Sequence, residues 1–297
     1  MNWYVGMLAG WGLMTASLLG QVSTSGMVKS GYAPVDGLKL YYEIHSSQGH
    51  GGGVPLILLH GGIMSTDSWT GEMPVLSANR EVIAVDLQAH GRTADVDRPM
   101  SCEAMADDIA ALMVYLHIDQ ADVMGYSLGG CVALRFAIQH PGMLRKLILV
   151  STVFRRDGWY PEGQAAMSRP LPAELLKQSP LYQTYARVAP RPQDWEVFLT
   201  KLHELLSKDY DFSIEVRGVK APTLLIFGDA DAIRPEHEIE FFELLGGGKK
   251  DPGWDGSGMP DSRLAILPGT THYNITESPM LPTIATQFLD APMPARK

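Results

Sequence analysis

Short apolar runs recur along the chain, and segments with helix-type spacing separate most of them. The runs fall at residues 55–60, 82–86, 121–125, 147–150, 223–227 and 264–267. Continuous apolar stretches of this length are typical of strands buried on both faces. Helical patterns lie between or after them, at residues 103–116, 128–140, 235–245 and 282–289. Strands that alternate with helices predict an α/β fold with a mostly parallel central sheet and helices on both faces.

A hairpin is predicted ahead of this parallel sheet. Residues 32–35 and 38–44 flank the dipeptide Asp36-Gly37. This dipeptide favours the tight two-residue turn of an antiparallel hairpin, because both of its residues tolerate positive φ angles. We therefore expect two antiparallel strands at the start of the fold.

One long segment interrupts the alternation. Residues 151–220 contain no buried-strand run, are rich in Pro, Trp, Tyr and Arg, and hold one helical pattern at 195–206. An excursion of this length between two core strands predicts an inserted lid on a core made of residues 27–150 and 221–297. The aromatic and apolar residues that either pack this lid or line an acyl pocket are Trp159, Tyr160, Met167, Tyr182, Tyr185 and Trp195.

The first 26 residues are predicted to stand apart from the core. Residues 4–20 are apolar apart from Thr15 and Ser17, which is short for a membrane span of about 20 apolar residues. No stable span is therefore predicted. The segment either is a signal peptide, although it lacks the usual leading positive charges, or is a non-native extension before a true start at Met27. Export and a cytoplasmic location both remain open.

The overall charge and the absence of certain motifs exclude several classes of function. A net charge of −9 argues against a nucleic-acid partner, because phosphate binding needs clustered Lys and Arg. No zinc-type spacing and no Gly-rich nucleotide loop occurs, so neither a metal nor a cofactor is predicted. The two cysteines, Cys102 and Cys131, fall in predicted helices, and we expect them to be small apolar fillers.

The strongest chemical signal is the pentapeptide Gly125-Tyr126-Ser127-Leu128-Gly129. It matches G-x-S-x-G at the end of a buried strand and at the start of a helical pattern. In this context the serine lies on a sharp strand-to-helix turn that exposes its hydroxyl, and the glycines let the chain bend there. Ser127 is therefore the predicted nucleophile.

The pentapeptide, the run His60-Gly61-Gly62 and the order of elements resemble the α/β-hydrolase superfamily. More narrowly, they resemble its lidded esterases, lactonases, carbon–carbon-bond hydrolases and cofactor-free haloperoxidases. The resemblance covers roughly residue 32 to the C-terminus. It implies the α/β-hydrolase fold with a lid, and a catalytic triad in the chain order Ser, Asp or Glu, His.

The remaining triad members are assigned from their positions after core strands. His272 follows the last apolar run, and a histidine is the natural base for a serine hydroxyl because its ordinary pKa of ~6.5 lies near neutral pH. Two carboxylates, Asp229 and Asp231, follow the preceding run. The resemblance implies Gly-x-x-Asp from Gly228 and so favours Asp231 as the acid, with Asp229 as a brace for the loop.

The oxyanion hole needs two backbone N–H donors. Leu128, which follows the nucleophile, is expected to supply one, and the resemblance implies Gly62 for the other. His60 is interpreted as a support for this loop. Residues 86–93 resemble a family landmark but carry Ala89 and Thr93 where Gly and Ser are usual, and we interpret this segment as structural.

These residues predict a serine hydrolase that cleaves a small-molecule carboxylic ester or lactone through an acyl-serine intermediate. Two alternatives share the same site: hydrolysis of a carbon–carbon bond, and cofactor-free perhydrolysis or haloperoxidase-like chemistry. A third belongs to another class, in which the pocket binds a ligand as a receptor without turnover. Arg155 and Arg156, at the entry to the lid, are expected to form hinge salt bridges rather than to bind an anionic substrate. The oligomeric state is left open.

Overall fold

In the computed structural model, which describes residues 27–46 and 53–294, eight strands form one sheet. They are β1 (Met27–Val35), β2 (Leu38–Ser46), β3 (Leu56–Leu59), β4 (Val82–Val85), β5 (Ala121–Tyr126), β6 (Leu144–Val150), β7 (Thr223–Ala230) and β8 (Arg263–Thr271). Each predicted apolar run contains or overlaps one of these strands. The predicted N-terminal segment, residues 1–26, lies outside the described residues.

The strands lie in the order β1-β2-β4-β3-β5-β6-β7-β8. The first two form the predicted hairpin, with positive φ angles of 46° at Asp36 and 83° at Gly37. β2 pairs with β4 in antiparallel fashion, and all the later pairs are parallel. The predicted fold class is thus confirmed.

The α-helices of the described residues lie between these strands or after the last one. They are α1 (Met73–Leu76), α2 (Cys102–Tyr115), α3 (Leu128–Gln139), α4 (Pro161–Met167), α5 (Ala173–Leu176), α6 (Pro180–Val188), α7 (Trp195–Ser207), α8 (Ser213–Val216), α9 (Pro235–Leu244) and α10 (Met280–Asp290). Within the described ranges, no helix is long and apolar enough to cross a membrane.

Both faces of the apolar strands are buried. Successive side chains point to opposite sides of a sheet, so each strand contributes to two hydrophobic clusters. In β3, Ile57 and Leu59 belong to the cluster that includes α2, α3 and α7. Leu56 and Leu58 belong to a second cluster with Trp69 and α10 on the other face. Two hydrophobic layers therefore fix the sheet between helices.

The segment between β6 and β7 holds the helices α4 to α8. It is tied to the loop that follows β4, because the Lys201 ammonium donates to Asp95 Oδ2 at 2.6 Å and to the Val96 carbonyl at 2.7 Å. A second link joins Arg187 on α6 to Asp67 at 2.8 Å. At the other end, Arg155 pairs with Glu240 at 3.0 Å, in agreement with the predicted hinge salt bridge.

The two cysteines are joined in a disulfide, so the interpretation of both as apolar fillers is wrong. Cys102 is the first residue of α2 and Cys131 is the fourth residue of α3, and their Cα atoms lie 5.9 Å apart. This separation is typical of a disulfide. The pairing depends on the side-by-side packing of α2 and α3, which spacing along the chain does not reveal.

Candidate active site

The predicted nucleophile lies on a strained turn between β5 and α3. Ser127 has φ 52° and ψ −112°, a conformation that a residue with a side chain rarely adopts. A Cβ on Gly125 would collide with the carbonyl of Gly129, and a Cβ on Gly129 would collide with the carbonyls of Leu59 and His60. The two glycines therefore allow the tight turn that carries the Ser127 hydroxyl.

A hydrogen-bond relay runs from this hydroxyl to a buried carboxylate. Ser127 Oγ lies 3.0 Å from His272 Nε2, and His272 Nδ1 lies 3.0 Å from Asp231 Oδ1. An imidazole that donates from Nδ1 to the carboxylate carries a lone pair on Nε2, which accepts the serine proton. The structure thus brings together Ser127, Asp231 and His272, which come from the ends of three strands distant in sequence.

The carboxylate of Asp231 is held by two further donors. The Ser151 hydroxyl donates to Oδ2 at 2.5 Å, and the Gly228 amide donates to the same oxygen at 3.2 Å. Burial alone would raise the pKa of Asp231, but the hydrogen bond and charge of His272, followed by the Ser151 and Gly228 bonds, hold that pKa below its ordinary value. Asp231 is therefore an anion at neutral pH.

Ser151 is a residue of the site that the sequence interpretation missed. It is fully buried directly after β6, with a positive φ of 47°. The predicted boundary made it the first residue of the lid, and no motif marks it. A hydroxyl at the carboxyl end of a core strand was the one available signal, since such ends gather at the site of a parallel sheet.

Asp229, the alternative acid, does not contact His272 among the described hydrogen bonds. Its Oδ1 accepts the backbone N–H of Thr270 at 3.2 Å. Asp229 is exposed, whereas Asp231 is buried. The contact links the end of β7 to that of β8, as expected of a brace for the loop.

Two aromatic side chains, those of Tyr126 and Trp159, contact His272. The Tyr126 hydroxyl, next to the nucleophile in sequence, donates to the backbone carbonyl of His272. The Trp159 indole packs edge-to-face against the imidazole with ring centroids 5.1 Å apart. Tyr160 beside it is 41% exposed. Of this aromatic pair, Trp159 is the residue in contact with the relay.

Gly62 and Leu128, the predicted sources of the two oxyanion donors, are neighbours in the fold. A Cβ built on Gly62 would stand 3.9 Å from Leu128 Cδ2, so the loop after β3 runs against the first residue of α3. The Leu128 N–H is at a helix N-terminus, where backbone N–H groups have no partner within the helix and the dipole is positive. A helix N-terminus suits a developing negative charge.

His60 and Asp86 hold the loop on which Gly62 lies. His60 Nδ1 donates to the Gly61 carbonyl at 2.7 Å, and Nε2 accepts the Leu87 N–H at 3.2 Å. Burial lowers the pKa of His60 to about 3, so the ring is neutral and is not a base for the reaction. Asp86 accepts the backbone N–H groups of Thr66 and Arg92, both at 2.7 Å.

A further carboxyl lies behind the relay. Glu238 on α9 is buried, and burial first and the Asp231 charge second raise its pKa to about 8. Glu238 is therefore neutral at pH 7, and Asp231 keeps its charge without a second anion beside it. Among the described residues no cluster of three or more His, Cys, Asp or Glu side chains could hold a metal ion.

Comparison with known proteins places this geometry in context. The family model for the α/β-hydrolase fold matches residues 54–194. The chain is 30% identical over 212 residues to the AB hydrolase superfamily protein YisY of Bacillus subtilis, covering 62% of this chain and 77% of that protein. It is 33% identical over 210 residues to a pimeloyl-(acyl-carrier protein) methyl ester esterase of Neisseria meningitidis, with the same coverages of 62% and 77%.

A solved structure agrees with the fold. The enol-lactonase of Burkholderia xenovorans superposes with a TM-score of 0.66 at 22% sequence identity, covering 88% of this chain and all of that one. At this level of identity the match concerns the arrangement of strands and helices alone.

Proposed function

The chain belongs to the α/β-hydrolase superfamily, and from this membership we propose that it hydrolyses a carboxylic ester or lactone through an acyl-serine intermediate on Ser127. The relay from Ser127 Oγ through His272 to Asp231, with both contacts at 3.0 Å, carries the proposal. The similarity to a methyl ester esterase supports the same class of substrate.

In the first half of the reaction Ser127 Oγ attacks the carbonyl carbon while His272 Nε2 takes its proton. The Asp231 carboxylate stabilises the imidazolium that forms, without taking up a proton itself. The carbonyl oxygen becomes an oxyanion that the N–H groups of Gly62 and Leu128 stabilise, each worth about 3 kcal/mol. His272 then protonates the departing alkoxide. The alcohol dissociates, and the acyl-enzyme remains.

In the second half a water molecule takes the place of the alcohol. His272 accepts a proton from this water as the oxygen attacks the acyl carbon, and the same donors stabilise the second oxyanion. Collapse of the intermediate returns the proton from His272 to Ser127 and releases the carboxylic acid. For a lactone the leaving alkoxide stays attached to the acyl group, and the product is a hydroxy acid.

The segment 151–220 acts in this proposal as the lid. It leaves the core next to Ser151, and its Trp159 ring covers His272. A segment in that position excludes water from the relay, and its opening can limit turnover.

The test of the proposed function is the loss of activity in Ser127→Ala. The wild-type protein is expected to hydrolyse p-nitrophenyl acetate or butyrate, and the variant to lose at least about 10³-fold in kcat with an unchanged melting temperature. A fluorophosphonate probe should label the wild-type protein at one site. Labelling that maps to a residue other than Ser127, or full activity in the variant, would refute the assignment.

A further inference from the structure

Tyr126, the last residue of β5, directly precedes the nucleophile in the chain. It is 3% exposed and belongs to the hydrophobic cluster that includes Trp69 and α10. Its ring lies against Gly61, because a Cβ built on that glycine would stand 2.7 Å from Tyr126 Cε1 and 2.9 Å from Cδ1. The ring is therefore fixed between this cluster and the loop after β3.

The hydroxyl at the end of this fixed ring donates to the backbone carbonyl of His272. The imidazole of His272 lies beside the same ring, with centroids 5.4 Å apart. Burial, followed by the charge of Asp231, raises the pKa of the Tyr126 hydroxyl, so the hydroxyl keeps its proton at neutral pH and remains a donor. The bond therefore joins the residue before the nucleophile to the residue that supplies the base.

This bond links the His272 loop to the strand that carries Ser127. Elsewhere in the loop, the Thr270 N–H donates to Asp229 at the end of β7, and the Thr271 N–H is bonded within the loop itself. Neither of these two bonds fixes the loop relative to β5. The contact needed for proton transfer, from Ser127 Oγ to His272 Nε2 at 3.0 Å, depends on how the loop and β5 are placed.

We propose that Tyr126 is a positioning residue, whose hydroxyl holds His272 within reach of the Ser127 hydroxyl. The proposal rests on the proposed function, since His272 is the base in both halves of that reaction. Proton transfer needs the imidazole nitrogen within about 3 Å of the hydroxyl, and a misplacement of about 1 Å can lower a rate by about 10²-fold. A rigid anchor on the loop backbone places the imidazole before the substrate binds.

The first experiment removes the hydroxyl in Tyr126→Phe and keeps the ring against Gly61. The kcat for p-nitrophenyl butyrate should fall about tenfold and KM should stay within about twofold, because acylation and deacylation both use His272 and slow together. Ser262→Ala is the matched control, since it also loses a buried hydroxyl that donates to a backbone carbonyl, that of Leu245. It should keep the wild-type kcat. A kcat within about twofold of wild type in folded Tyr126→Phe protein would overturn the proposal.

The second experiment separates the donor from the space that the hydroxyl fills. 4-Aminophenylalanine at position 126 places an N–H donor where the hydroxyl was, and 4-methylphenylalanine places a methyl group of similar size there. The kcat of the amino variant should return to within about threefold of wild type, and that of the methyl variant should stay about tenfold lower. This pair keeps the test valid if Tyr126→Phe is unstable, because both side chains fill the space at the end of the ring. Equal kcat values in the two variants would overturn the proposal.

A third measurement does not depend on turnover. In protein labelled with nitrogen-15 in histidine, the His272 Nδ1 proton bonded to Asp231 should exchange with water about tenfold faster in Tyr126→Phe than in the wild type, because the loop opens more often. Equal exchange in the two proteins would overturn the positioning role, whether or not esters are hydrolysed. The expected difference in a protein whose wild-type form hydrolyses no ester would instead refute the proposed function and support the placement of His272 by Tyr126.

Discussion

At the scale of single residues, two neighbouring carboxylates differ in what they contact. Asp231 faces His272, and Asp229 accepts a backbone N–H from Thr270. Asp231→Asn should lower kcat for p-nitrophenyl butyrate by about 10⁴, because the amide imposes the wrong imidazole tautomer. Asp229→Asn keeps a carbonyl oxygen for Thr270 and should change kcat less than about threefold. Equal losses in two folded variants, checked by circular dichroism, would contradict this assignment.

The Ser151 hydroxyl leads to a prediction about pH. Ser151→Gly removes a donor to Asp231 without backbone strain, because glycine is at ease at the φ of 47°. A hydrogen bond to the charged form lowers a carboxyl pKa, so its loss raises the pKa of Asp231. A less stabilised carboxylate favours the protonated form of the Asp231–His272 pair, which cannot take the serine proton. The acid limb of the kcat/KM profile should therefore move to higher pH.

The control for this experiment is Ser262→Ala. Ser262 is also buried, but its hydroxyl donates to the Leu245 carbonyl, away from the relay. This variant should keep the wild-type profile. A lower melting temperature in Ser151→Gly with an unmoved acid limb would mean that the hydroxyl only supports the fold.

The sequence allowed the relay to be predicted because each member follows a core strand in a recognisable pattern. Ser127 lies in G-x-S-x-G, and Asp231 stands three residues after Gly228. Ser151 escaped prediction for a physical reason. Its hydrogen bond to Asp231 depends on a positive φ after β6, and this feature leaves no pattern in the sequence.

At the scale of elements, the buried strands and the long helices follow the predicted pattern closely. The helical pattern at 103–116 became α2, Cys102–Tyr115, and the pattern at 128–140 became α3, Leu128–Gln139. Buried segments of this kind can be predicted from the sequence, because their apolar residues repeat with the period of the strand or helix. The short helices between β6 and β7 were missed, since α5 and α8 have only four residues each. Their shape depends on contacts with the core.

Trp159 and Tyr160, neighbours in the segment 151–220, have different surroundings. Trp159 packs on the imidazole of His272, whereas Tyr160 is 41% exposed. Trp159→Ala should lower kcat by about three- to tenfold, because an aromatic contact of roughly 1 kcal/mol no longer holds the ring. It should also change the kcat/KM ratio of p-nitrophenyl butyrate to octanoate. Tyr160→Ala is the adjacent control and should do neither. Equal effects of the two substitutions would show that the contact with His272 has no such role.

At the scale of the whole molecule, the topology gathers residues from distant parts of the chain. β5, β7 and β8 are parallel, so the residues that follow them meet at one edge of the sheet. The alternation of strands and helices predicted this convergence. It did not predict how the segment 151–220 is tied to the core, because Lys201 and Asp95 are 106 residues apart. Nor did it predict the covalent link between α2 and α3.

That link is expected to stabilise the fold as a whole. The disulfide closes a loop of 29 residues, and loop closure of this size lowers the entropy of the unfolded chain by an amount worth about 3–4 kcal/mol. In the double variant Cys102→Ala/Cys131→Ala the melting temperature should fall by roughly 5–15 °C. Dithiothreitol should lower the melting temperature of the wild-type protein similarly and leave that of the double variant unchanged.

Thiol titration in denaturant gives the decisive control for the disulfide. Protein purified under oxidising conditions should show no free thiols, and two after reduction, since the sequence holds two cysteines. The bond forms where the surroundings are oxidising, so protein made under reducing conditions should melt at the lower temperature until it is oxidised. Two free thiols in oxidised protein, with a melting temperature that reductant does not change, would show that Cys102 and Cys131 are unpaired in solution.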